Sequence, residues 1–352
     1  MMTASVESHL APNSIETKKL KVGVIGLGKQ SCSNHIPVFG DSPSAELVAI
    51  CDVNKERLEE IAKATGVRQY TDYRLLLEAE KVDFVLIATP HDVYPNVIEQ
   101  AARKGVHILK EKPLARTVDE AKSLEEICNK SKVHLSVMTQ RRFNPVYQNF
   151  FLLRSQIGDI SSVDARYTLG IEEPNGGWRG DRKRAGGGCI MDMGYHMIDL
   201  IIWYFGLPDR VHAEFSFPSP PKESNNIEDT ATVLFSYNNG AHGSLFLSRR
   251  AAPKTEYIQV VGSDGTIEIQ KNSIKSIDKK GRVVTSLVQE QMCQSMSLAQ
   301  IEHFCNIVQG KAENGSDPKY HFQHVSLVEA CYRSKENGGY VSPLDLLRNH
   351  GK

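Results

Sequence analysis

The sequence predicts a doubly wound α/β domain built on a parallel sheet, followed by an α+β domain with a large, mostly antiparallel open sheet. In the first half, continuous apolar runs alternate with amphipathic helical stretches, which is typical of parallel strands buried on both faces. After about Arg141, apolar and polar residues alternate, which is typical of antiparallel strands with one buried face. We therefore expect a flexible polar leader over residues 1–19, an α/β domain over residues 20–141 and an α+β domain over residues 142–352.

The α/β domain is expected to contain four buried strands. The four apolar runs are Lys21–Gly26, Leu47–Cys51, Val82–Ala88 and Val106–Leu109. Between the third and fourth runs, apolar residues from Val93 to Ala102 share one face of a helix that ends at Gly105. Thr117 and Glu120 have the spacing of a capping box and predict the start of the next helix. Repeated strand–helix units imply right-handed crossovers and hence a doubly wound sheet.

The α+β domain is expected to consist of period-two strands joined by tight turns, together with helices. Apolar and polar residues alternate in three segments, Val163–Leu169, Val211–Phe217 and Ala231–Tyr237. Asn239-Gly240 and Asp264-Gly265 lie between such runs and predict hairpin turns. A helix is expected over residues 190–205, and two more near residues 298–308 and 322–333 close the domain.

The composition is that of a soluble globular protein and excludes several functional classes. The 352 residues carry 42 basic and 42 acidic side chains, so zero net charge gives no electrostatic drive towards nucleic acid or an anionic membrane. No run approaches the roughly 18 uninterrupted apolar residues of a membrane span, and residues 1–20 lack the apolar core of a signal peptide. Seven cysteines without CxxC spacing argue against disulfides or structural zinc, so we expect a cytoplasmic protein.

A glycine-rich turn follows the first predicted strand and has the features of a dinucleotide-binding site. Gly26 and Gly28 allow a tight turn and a close approach of backbone N–H groups to a pyrophosphate at the start of the next helix. Lys29, Gln30 and Ser31 follow in that helix, with Ser31 in the position of the third glycine. We expect all five residues to contact the cofactor.

The second predicted strand ends at an acidic residue, Asp52, which lies 24 residues after Gly28. A carboxylate there can accept hydrogen bonds from the hydroxyls of the adenosine ribose. Asp52 would also repel a 2′-phosphate, so we expect NAD as the cofactor, with NADP as the alternative. Arg57 follows at a position that allows a contact with the adenine. These features together predict a Rossmann domain.

Two further motifs place ionisable residues near the ends of predicted elements. Glu111-Lys112-Pro113 follows a strand, where ligands of α/β sheets gather, although such a pair can also be a surface ion pair. Asp192, His196 and Asp199 recur at helical spacing after a run of glycines and share one helix face. On an apolar helix they imply a buried polar network, a metal site or catalysis. No third ligand with convincing spacing appears, so we expect no metal.

In their order along the chain, these motifs resemble those of the Gfo/Idh/MocA family, named after glucose–fructose oxidoreductase and inositol dehydrogenase. The order is a strand–GxG–helix, a strand-end Asp, Ala88-Thr-Pro90, Glu-Lys-Pro and then GGG…DxGxH. The resemblance is strong from Lys21 to Pro208 and less specific through the remaining sheet. It implies an N-terminal Rossmann domain and a C-terminal sheet domain that often forms the oligomer interface.

The resemblance also assigns roles to individual residues. It places the catalytic lysine at Lys112 and the catalytic aspartate and histidine at Asp192 and His196. It implies further cofactor contacts from Thr89, Pro90, His91, Glu111, Gln140, Trp178 and Arg179. One departure is that Tyr94 stands where the family commonly has a histidine after the Ala-Thr-Pro motif, whereas His91 lies three residues earlier.

The chemistry of these residues suits the oxidation of a secondary alcohol. An imidazole can take the O–H proton near neutral pH, so His196 is the expected base. The Lys112 ammonium can stabilise the alkoxide or polarise the carbonyl in reverse, and Asp192 can hold a hydroxyl or orient the site. We therefore expect an NAD(P)-dependent oxidoreductase that transfers hydride between nicotinamide and a ring hydroxyl or ketone of a sugar, sugar derivative or inositol-like cyclitol.

Two alternatives stay open: a keto-sugar reductase of secondary metabolism, such as aminoglycoside biosynthesis, and a non-catalytic regulator that senses dinucleotide on the same scaffold. The basic cluster Arg179–Arg184 also suits a substrate with a phosphate or carboxylate group. Apolar residues in the strands at 231–237 and 241–247 predict an exposed sheet face, through which we expect a homodimer or homotetramer.

Overall fold

The computed structural model describes residues 18–173, 176–217, 227–289 and 293–349. The predicted leader therefore lies outside the described residues, apart from Lys18 and Lys19. Within the four described ranges, none of the helices combines the length and the apolar character that crossing a lipid bilayer requires. The described residues form two sheets, one parallel and one mostly antiparallel.

The first sheet is parallel and forms the Rossmann domain. Its strands are β1 (Leu20–Ile25), β2 (Ala45–Cys51), β3 (Arg68–Tyr70), β4 (Phe84–Ile87), β5 (His107–Lys110) and β6 (Leu135–Val137). They lie in the order β3-β2-β1-β4-β5-β6, which confirms the doubly wound sheet. β3 and β6 have no counterpart among the predicted strands, because three residues are too few to carry a readable pattern.

The helices of this domain connect its strands in the predicted manner. They are α1 (Lys55–Thr65), α2 (Tyr73–Ala79), α3 (Tyr94–Arg103) and α4 (Val118–Ser131). The capping box at the start of α4 is present, since Thr117 Oγ1 accepts a hydrogen bond from the Glu120 backbone N–H at 3.2 Å. The loops after β1, β2, β4 and β5 lie at the carboxyl edge of the sheet, where the predicted cofactor residues are found.

The second sheet has eight strands and is antiparallel except at one pair. The strands are β7 (Ile160–Thr168), β8 (Arg210–Ser216), β9 (Thr230–Ser236), β10 (His242–Ser248), β11 (Thr255–Gly262), β12 (Gly265–Gln270), β13 (Ser273–Asp278) and β14 (Val283–Val288). Their order is β14-β13-β12-β11-β7-β10-β9-β8, and only β7 and β10 pair in parallel among these neighbours. Asn239-Gly240 and Asp264-Gly265 join antiparallel neighbours, as predicted.

Helices pack on one face of this sheet and link it to the Rossmann domain. Short helices α5 (Pro145–Gln148) and α6 (Phe150–Leu153) precede β7, and α7 (Arg182–Ala185) follows it. A π-helical turn at Ile190–Gly194 leads into α8 (Tyr195–Phe205). The C-terminal helices are α9 (Cys293–Val308), α10 (Pro318–Asn337) and α11 (Pro343–Asn349).

The expectation of an exposed apolar face on β9 and β10 was wrong. Ala231, Val233 and Phe235 point into the core beneath the helices, together with Leu245 and Leu247. The opposite face of these strands is mixed, because it carries two polar residues, Thr232 and Ser244, and two apolar residues, Leu234 and Phe246. The alternation identified the strands correctly, but it cannot say which face a helix covers.

The C-terminal helices do not close the second domain as expected. Ile301 and Phe304 of α9 lie in the core beneath the Rossmann sheet, where the Phe304 ring meets the Phe84 ring at 5.2 Å. α10 is shared, because Val325 packs in the Rossmann core and Leu327 in the core of the second sheet. The two domains are therefore joined by packed helices as well as by the chain between them.

Candidate active site

The glycine turn after β1 is shaped for close approach of a ligand. Gly26 has a φ of 98°, and a Cβ at this position would lie 2.6 Å from the Ala88 carbonyl group, so only glycine fits. A Cβ on Gly28 would have no described heavy atom within 4 Å, so this side of the turn faces open space. Ser31 follows with a buried hydroxyl that has no hydrogen-bond partner among the described residues.

These features fit the pyrophosphate of a dinucleotide. The backbone after Gly28 enters a helix at Lys29 and Gln30, so its first N–H groups point towards the open side of the turn. The unpartnered Ser31 hydroxyl is a donor of the kind that a phosphate oxygen requires. Lys29 and Gln30 are exposed beside it.

Asp52 ends β2 next to this turn, as predicted. Its Oδ2 atom accepts a hydrogen bond from the Leu27 backbone N–H at 2.6 Å, and its Oδ1 atom accepts one from the Asn54 backbone N–H at 2.8 Å. The carboxylate is therefore held beside the glycine turn, where a ribose would lie. Arg57 is exposed in the first turn of α1, close in sequence to this carboxylate.

The loop after β4 carries Thr89, Pro90 and His91, and His91 links it to the second domain. His91 is buried, and its Nδ1 atom donates a hydrogen bond to the Ala185 carbonyl at 2.7 Å, because a carbonyl can only accept. Burial and the nearby Lys112 ammonium lower the pKa of His91 to about 3, so the ring is neutral.

His91 also packs against the aromatic ring that the resemblance placed near nicotinamide. The Trp178 ring lies edge-on to the His91 ring, with 4.7 Å between the ring centres. The Tyr94 ring stacks on the His91 ring, with 5.6 Å between the ring centres. Tyr94, in the place of the family's histidine, is buried beneath the Lys110 ammonium at 3.6 Å from the ring centre. His91 therefore fastens the Trp178 loop to the Rossmann domain.

Glu111 and Gln140 contact each other at the carboxyl edge of β5. Glu111 Oε1 accepts hydrogen bonds from Gln140 Nε2 at 3.0 Å and from His35 Nε2 at 2.7 Å. Burial raises the pKa of Glu111, but the hydrogen bonds from His35 and Gln140 and the nearby Lys112 ammonium together keep that pKa below its ordinary value. His35 also contacts Ser297 Oγ at 2.7 Å, and this buried role could not be read from its position in the sequence.

A buried lysine that the sequence analysis did not single out supports the loop after β5. Lys110 donates hydrogen bonds to the backbone carbonyls of Pro113 and Leu114, the latter at 3.0 Å. Burial holds the pKa of Lys110 well below its ordinary value. These bonds hold the backbone of the two residues that follow Lys112. The peptide bond between Lys112 and Pro113 is cis.

Lys112 and Asp192 meet across the cleft between the domains, as the resemblance implies. Lys112 Nζ lies 2.7 Å from Asp192 Oδ1 and donates another hydrogen bond to the Asp192 carbonyl at 2.8 Å. In the glycine run before Asp192, a Cβ on Gly188 would lie 2.0 Å from the Glu228 carbonyl oxygen, so only glycine fits there. The π-helical turn that follows presents the aspartate to the lysine.

Asp192 carries three cationic partners, one of which sequence reasoning missed. Besides Lys112, Arg249 reaches its Oδ2 atom at 3.0 Å and Arg179 reaches the same atom at 3.3 Å. Burial raises the pKa of Asp192, but the three cations outweigh burial and hold that pKa well below its usual range. Arg249 is buried at the end of β10 and also donates to the Gly188 carbonyl at 3.2 Å. Its sequence context, a pair of arginines before a loop, carried no signal.

His196 lies one helical turn after Asp192, partly exposed, with its ring centre 6.4 Å from that of Tyr167. Burial, the Arg141 guanidinium and the Lys112 ammonium hold the pKa of His196 well below its ordinary value. The imidazole is therefore neutral near neutral pH and can accept a proton. Lys112, Asp192 and His196 thus form one cluster between the two domains.

Two predicted groupings are not brought together. Asp199 turns away from His196 and forms a buried network with Arg142 and with His324, whose Nε2 atom lies 2.8 Å from Asp199 Oδ1. The basic cluster Arg179–Arg184 is dispersed, because Arg184 pairs with Asp92 and only Arg179 reaches Asp192. Within the described part of the chain, no group of three or more His, Cys, Asp or Glu side chains converges as a metal site would require.

Comparison with known proteins identifies the family. Residues 20–139 match the profile of the Gfo/Idh/MocA "oxidoreductase family, NAD-binding Rossmann fold", and residues 152–268 match the profile of the Gfo/Idh/MocA C-terminal domain. The chain belongs to the Gfo/Idh/MocA oxidoreductases. The first domain is thus an NAD-binding Rossmann domain, in agreement with its glycine turn and Asp52.

Relatives within this family are similar over most of their length. A D-apiose dehydrogenase of Paraburkholderia graminis is 26% identical over 97% of this chain and 94% of that protein. A scyllo-inositol 2-dehydrogenase (NAD⁺) of Bacillus subtilis is 28% identical over 71% of this chain and 74% of that protein. The WlbA dehydrogenase of Bordetella pertussis, solved with NADH and UDP-GlcNAcA, superposes with a TM-score of 0.80 at 25% identity, covering 93% and 99% of the two chains.

Proposed function

We propose that this oxidoreductase transfers hydride between nicotinamide and a ring hydroxyl or ketone of a sugar, sugar derivative or cyclitol. The observation that carries the proposal is that Lys112 and Asp192 form an ion pair and that both charges act on His196, one helical turn further along, beside the cofactor edge of the Rossmann sheet. Relatives named for oxidising D-apiose and scyllo-inositol support this substrate class.

In the direction of oxidation, a bound secondary alcohol loses its O–H proton to His196 while its C–H hydrogen leaves with both bonding electrons. A bound nicotinamide would supply the hydride acceptor for this step and the hydride donor for the reverse direction. Lys112 donates a hydrogen bond to the substrate oxygen, where negative charge develops as the proton leaves. Asp192 holds the Lys112 ammonium at 2.7 Å and balances its charge in the free site.

The cofactor is proposed to bind with its pyrophosphate over Gly26, Gly28 and Ser31 and its adenosine ribose on Asp52. The carboxylate disfavours a 2′-phosphate by charge repulsion, so NAD is the expected cofactor. Arg57, Thr89, Pro90, Glu111, Gln140 and the Trp178–Arg179 pair are proposed to line the remaining cofactor path.

Turnover by a substrate panel tests the proposal against its alternatives. NADH fluorescence is followed with polyols, cyclitols and sugar nucleotides in the presence of NAD, and with the corresponding ketones in the presence of NADH. Turnover with a polyol supports a dehydrogenase, and turnover of keto-sugars alone supports a biosynthetic reductase. Tight cofactor binding without turnover in either direction would support a dinucleotide sensor, although a sensor has no need of the base at His196.

The quaternary structure is proposed to be a homodimer or homotetramer formed through the second sheet. The outer face of β9 and β10 exposes Leu234 and half-buries Phe246 between polar neighbours, so an interface there would be mixed rather than purely apolar. Light scattering at micromolar concentration distinguishes an oligomer from a stable monomer.

A further inference from the structure

One carboxylate of the second domain, Glu256, is paired with more positive charge than it can neutralise. Glu256 Oε2 accepts hydrogen bonds from Arg141 Nε at 3.0 Å and from the Tyr147 hydroxyl at 3.1 Å. Lys254 Nζ lies 3.3 Å from Glu256 Oε1. One carboxylate thus faces two cations, and this group of side chains has a net charge of +1.

The excess charge lies at the most exposed member of this group. The side chains of Arg141 and Glu256 are only 12% and 6% exposed, so the buried guanidinium and the carboxylate neutralise each other out of contact with water. The Lys254 side chain is 45% exposed. Its ammonium contacts Glu256 Oε1, while Arg141 and Tyr147 bind the other oxygen. Because an ammonium has three N–H donors, Lys254 can also donate to a ligand.

Lys254 and the proposed base lie against the same aromatic ring. The centre of the Tyr167 ring is 5.8 Å from Lys254 Nζ, 5.1 Å from the Arg141 guanidinium carbon and 6.4 Å from the centre of the His196 ring. Tyr167 itself is only 7% exposed, so its ring spaces His196 and Lys254 rather than offering a stacking face. A sugar with one hydroxyl at His196 can therefore place another substituent at Lys254. The lysine sits in the loop between β10 and β11, which Thr168 of β7 ties down by a hydrogen bond to the Pro253 carbonyl at 3.0 Å.

We propose that the substrate carries a carboxylate or phosphate group and that Lys254 binds this group. Arg141 and Glu256 position the lysine and hold the loop next to Tyr167. This inference rests on the proposed function, because it concerns the substrate of the same cleft. It replaces the basic cluster Arg179–Arg184 as the anion-binding element, since those side chains point to separate partners.

Calorimetric titration of the NADH-loaded protein tests the proposal without requiring turnover. The probes are glucose, galactose and mannose, with the uronate and the 6-phosphate of each. We expect at least one anionic sugar to bind at least about tenfold more tightly than its neutral parent, equivalent to about 1.4 kcal/mol. Lys254→Met should abolish this ratio and Lys254→Glu should invert it. Added salt should reduce the ratio, because the binding is electrostatic.

Lys275→Met provides a matched control. Lys275 is 39% exposed and pairs with Glu268 at 2.7 Å on the same sheet, but it lies on β13. This variant should keep the wild-type ratio. A larger gain for uronates identifies the group as a carboxylate, and a larger gain for the sugar phosphates identifies it as a phosphate.

Three results would overturn the inference: neutral sugars that bind as tightly as their anionic forms, no binding by any anionic sugar, or a ratio that survives in Lys254→Met. Failure of the proposed function would look different. In that case anionic sugars would bind through Lys254, while neither they nor any polyol would be oxidised or reduced.

Discussion

Two aspartates on one helical segment, Asp192 and Asp199, differ in how far the protein encloses them. Asp192 lies between the domains and is 18% exposed, and two of its three cationic partners, Lys112 and Arg179, are also partly exposed. The third, Arg249, is buried. Asp199, seven residues later, is only 3% exposed and is enclosed by Arg142 and His324. The same residue type at helical spacing thus serves an open site in one case and a sealed network in the other.

The two aspartates differ in whether their cationic partners are enclosed by the protein or remain partly exposed. Asp199 accepts two hydrogen bonds from Arg142, and its third partner, His324, comes from α10. Burial raises the pKa of Asp199, but the Arg142 charge and the hydrogen bonds from His324 and Arg142 together outweigh burial and keep that pKa below its ordinary value. Because Arg142 follows β6 and α10 packs on both cores, Asp199 joins the domains. Asp192 instead leaves Lys112 within reach of a ligand.

The largest effect on activity is expected at the proposed base, His196, near the partly exposed Asp192. His196→Ala should lower the turnover number by about two to four powers of ten, the usual range for a lost general acid–base. Cofactor affinity should change little, because the Rossmann domain provides that site. Steady-state kinetics and NADH titration measure the two quantities, and normal turnover with intact NAD binding would move the base elsewhere.

The pH profile provides an independent check on His196. Its pKa is lowered, so the imidazole stays a free base at neutral pH and is protonated only as the pH falls well below its ordinary value of about 6.5. The rate of alcohol oxidation should therefore be flat near neutral pH and should decrease on the acid side. An acid limb at or above about pH 6.5 would contradict the assignment.

The next effect is expected at the lysine of the same cluster. Lys112→Met removes the charge at similar length and should slow single-turnover hydride transfer by about two to three powers of ten, as for a lost oxyanion donor. Lys112→Arg should also fail, because a planar fork cannot replace a compact ammonium. Lys104→Met, at an exposed pair with Glu78, is the control. A Met variant within about threefold of wild type would make Lys112 a structural ion-pair residue.

For the enclosed Asp199, the expected effect is on the stability of the fold. Asp199→Asn leaves the buried Arg142 without its countercharge and should lower the free energy of unfolding by about 3 kcal/mol. Asp192→Asn should cost less, because Lys112 and Arg179 are partly exposed to water and the buried Arg249 keeps its hydrogen bond to the Gly188 carbonyl. Chemical denaturation of both variants measures the difference. Equal losses would remove the distinction between the two aspartates.

The smallest effect is expected at the adenosine end. Asp52→Ser should narrow the difference in affinity between NAD and NADP by about tenfold, because it removes the charge that repels a 2′-phosphate. Fluorescence titration with both reduced cofactors measures the ratio. Wild-type protein that binds NADP much more tightly than NAD would contradict the role of Asp52.

The sequence was most informative where function depends on local backbone geometry. Gly26 must be glycine because of its positive φ and the adjacent Ala88 backbone, and that requirement is visible in the chain as a GxG turn. Asp52 could be read from the strand that ends at it. Four strands of the second sheet, β7 to β10, were likewise visible from their alternation, together with the turn at Asn239-Gly240.

The sequence by itself determined the two sheets, the cofactor turn and the order of the motifs, because these follow from short-range patterns of apolar and small residues. Only the tertiary structure decided which charged residues meet. Arg249 reaches Asp192 from 57 residues away, and Glu256 reaches Arg141 from 115 residues away. Ion pairs of this kind leave no periodic trace in the chain, since Coulomb attraction depends on distance in the folded molecule and not on separation along the sequence.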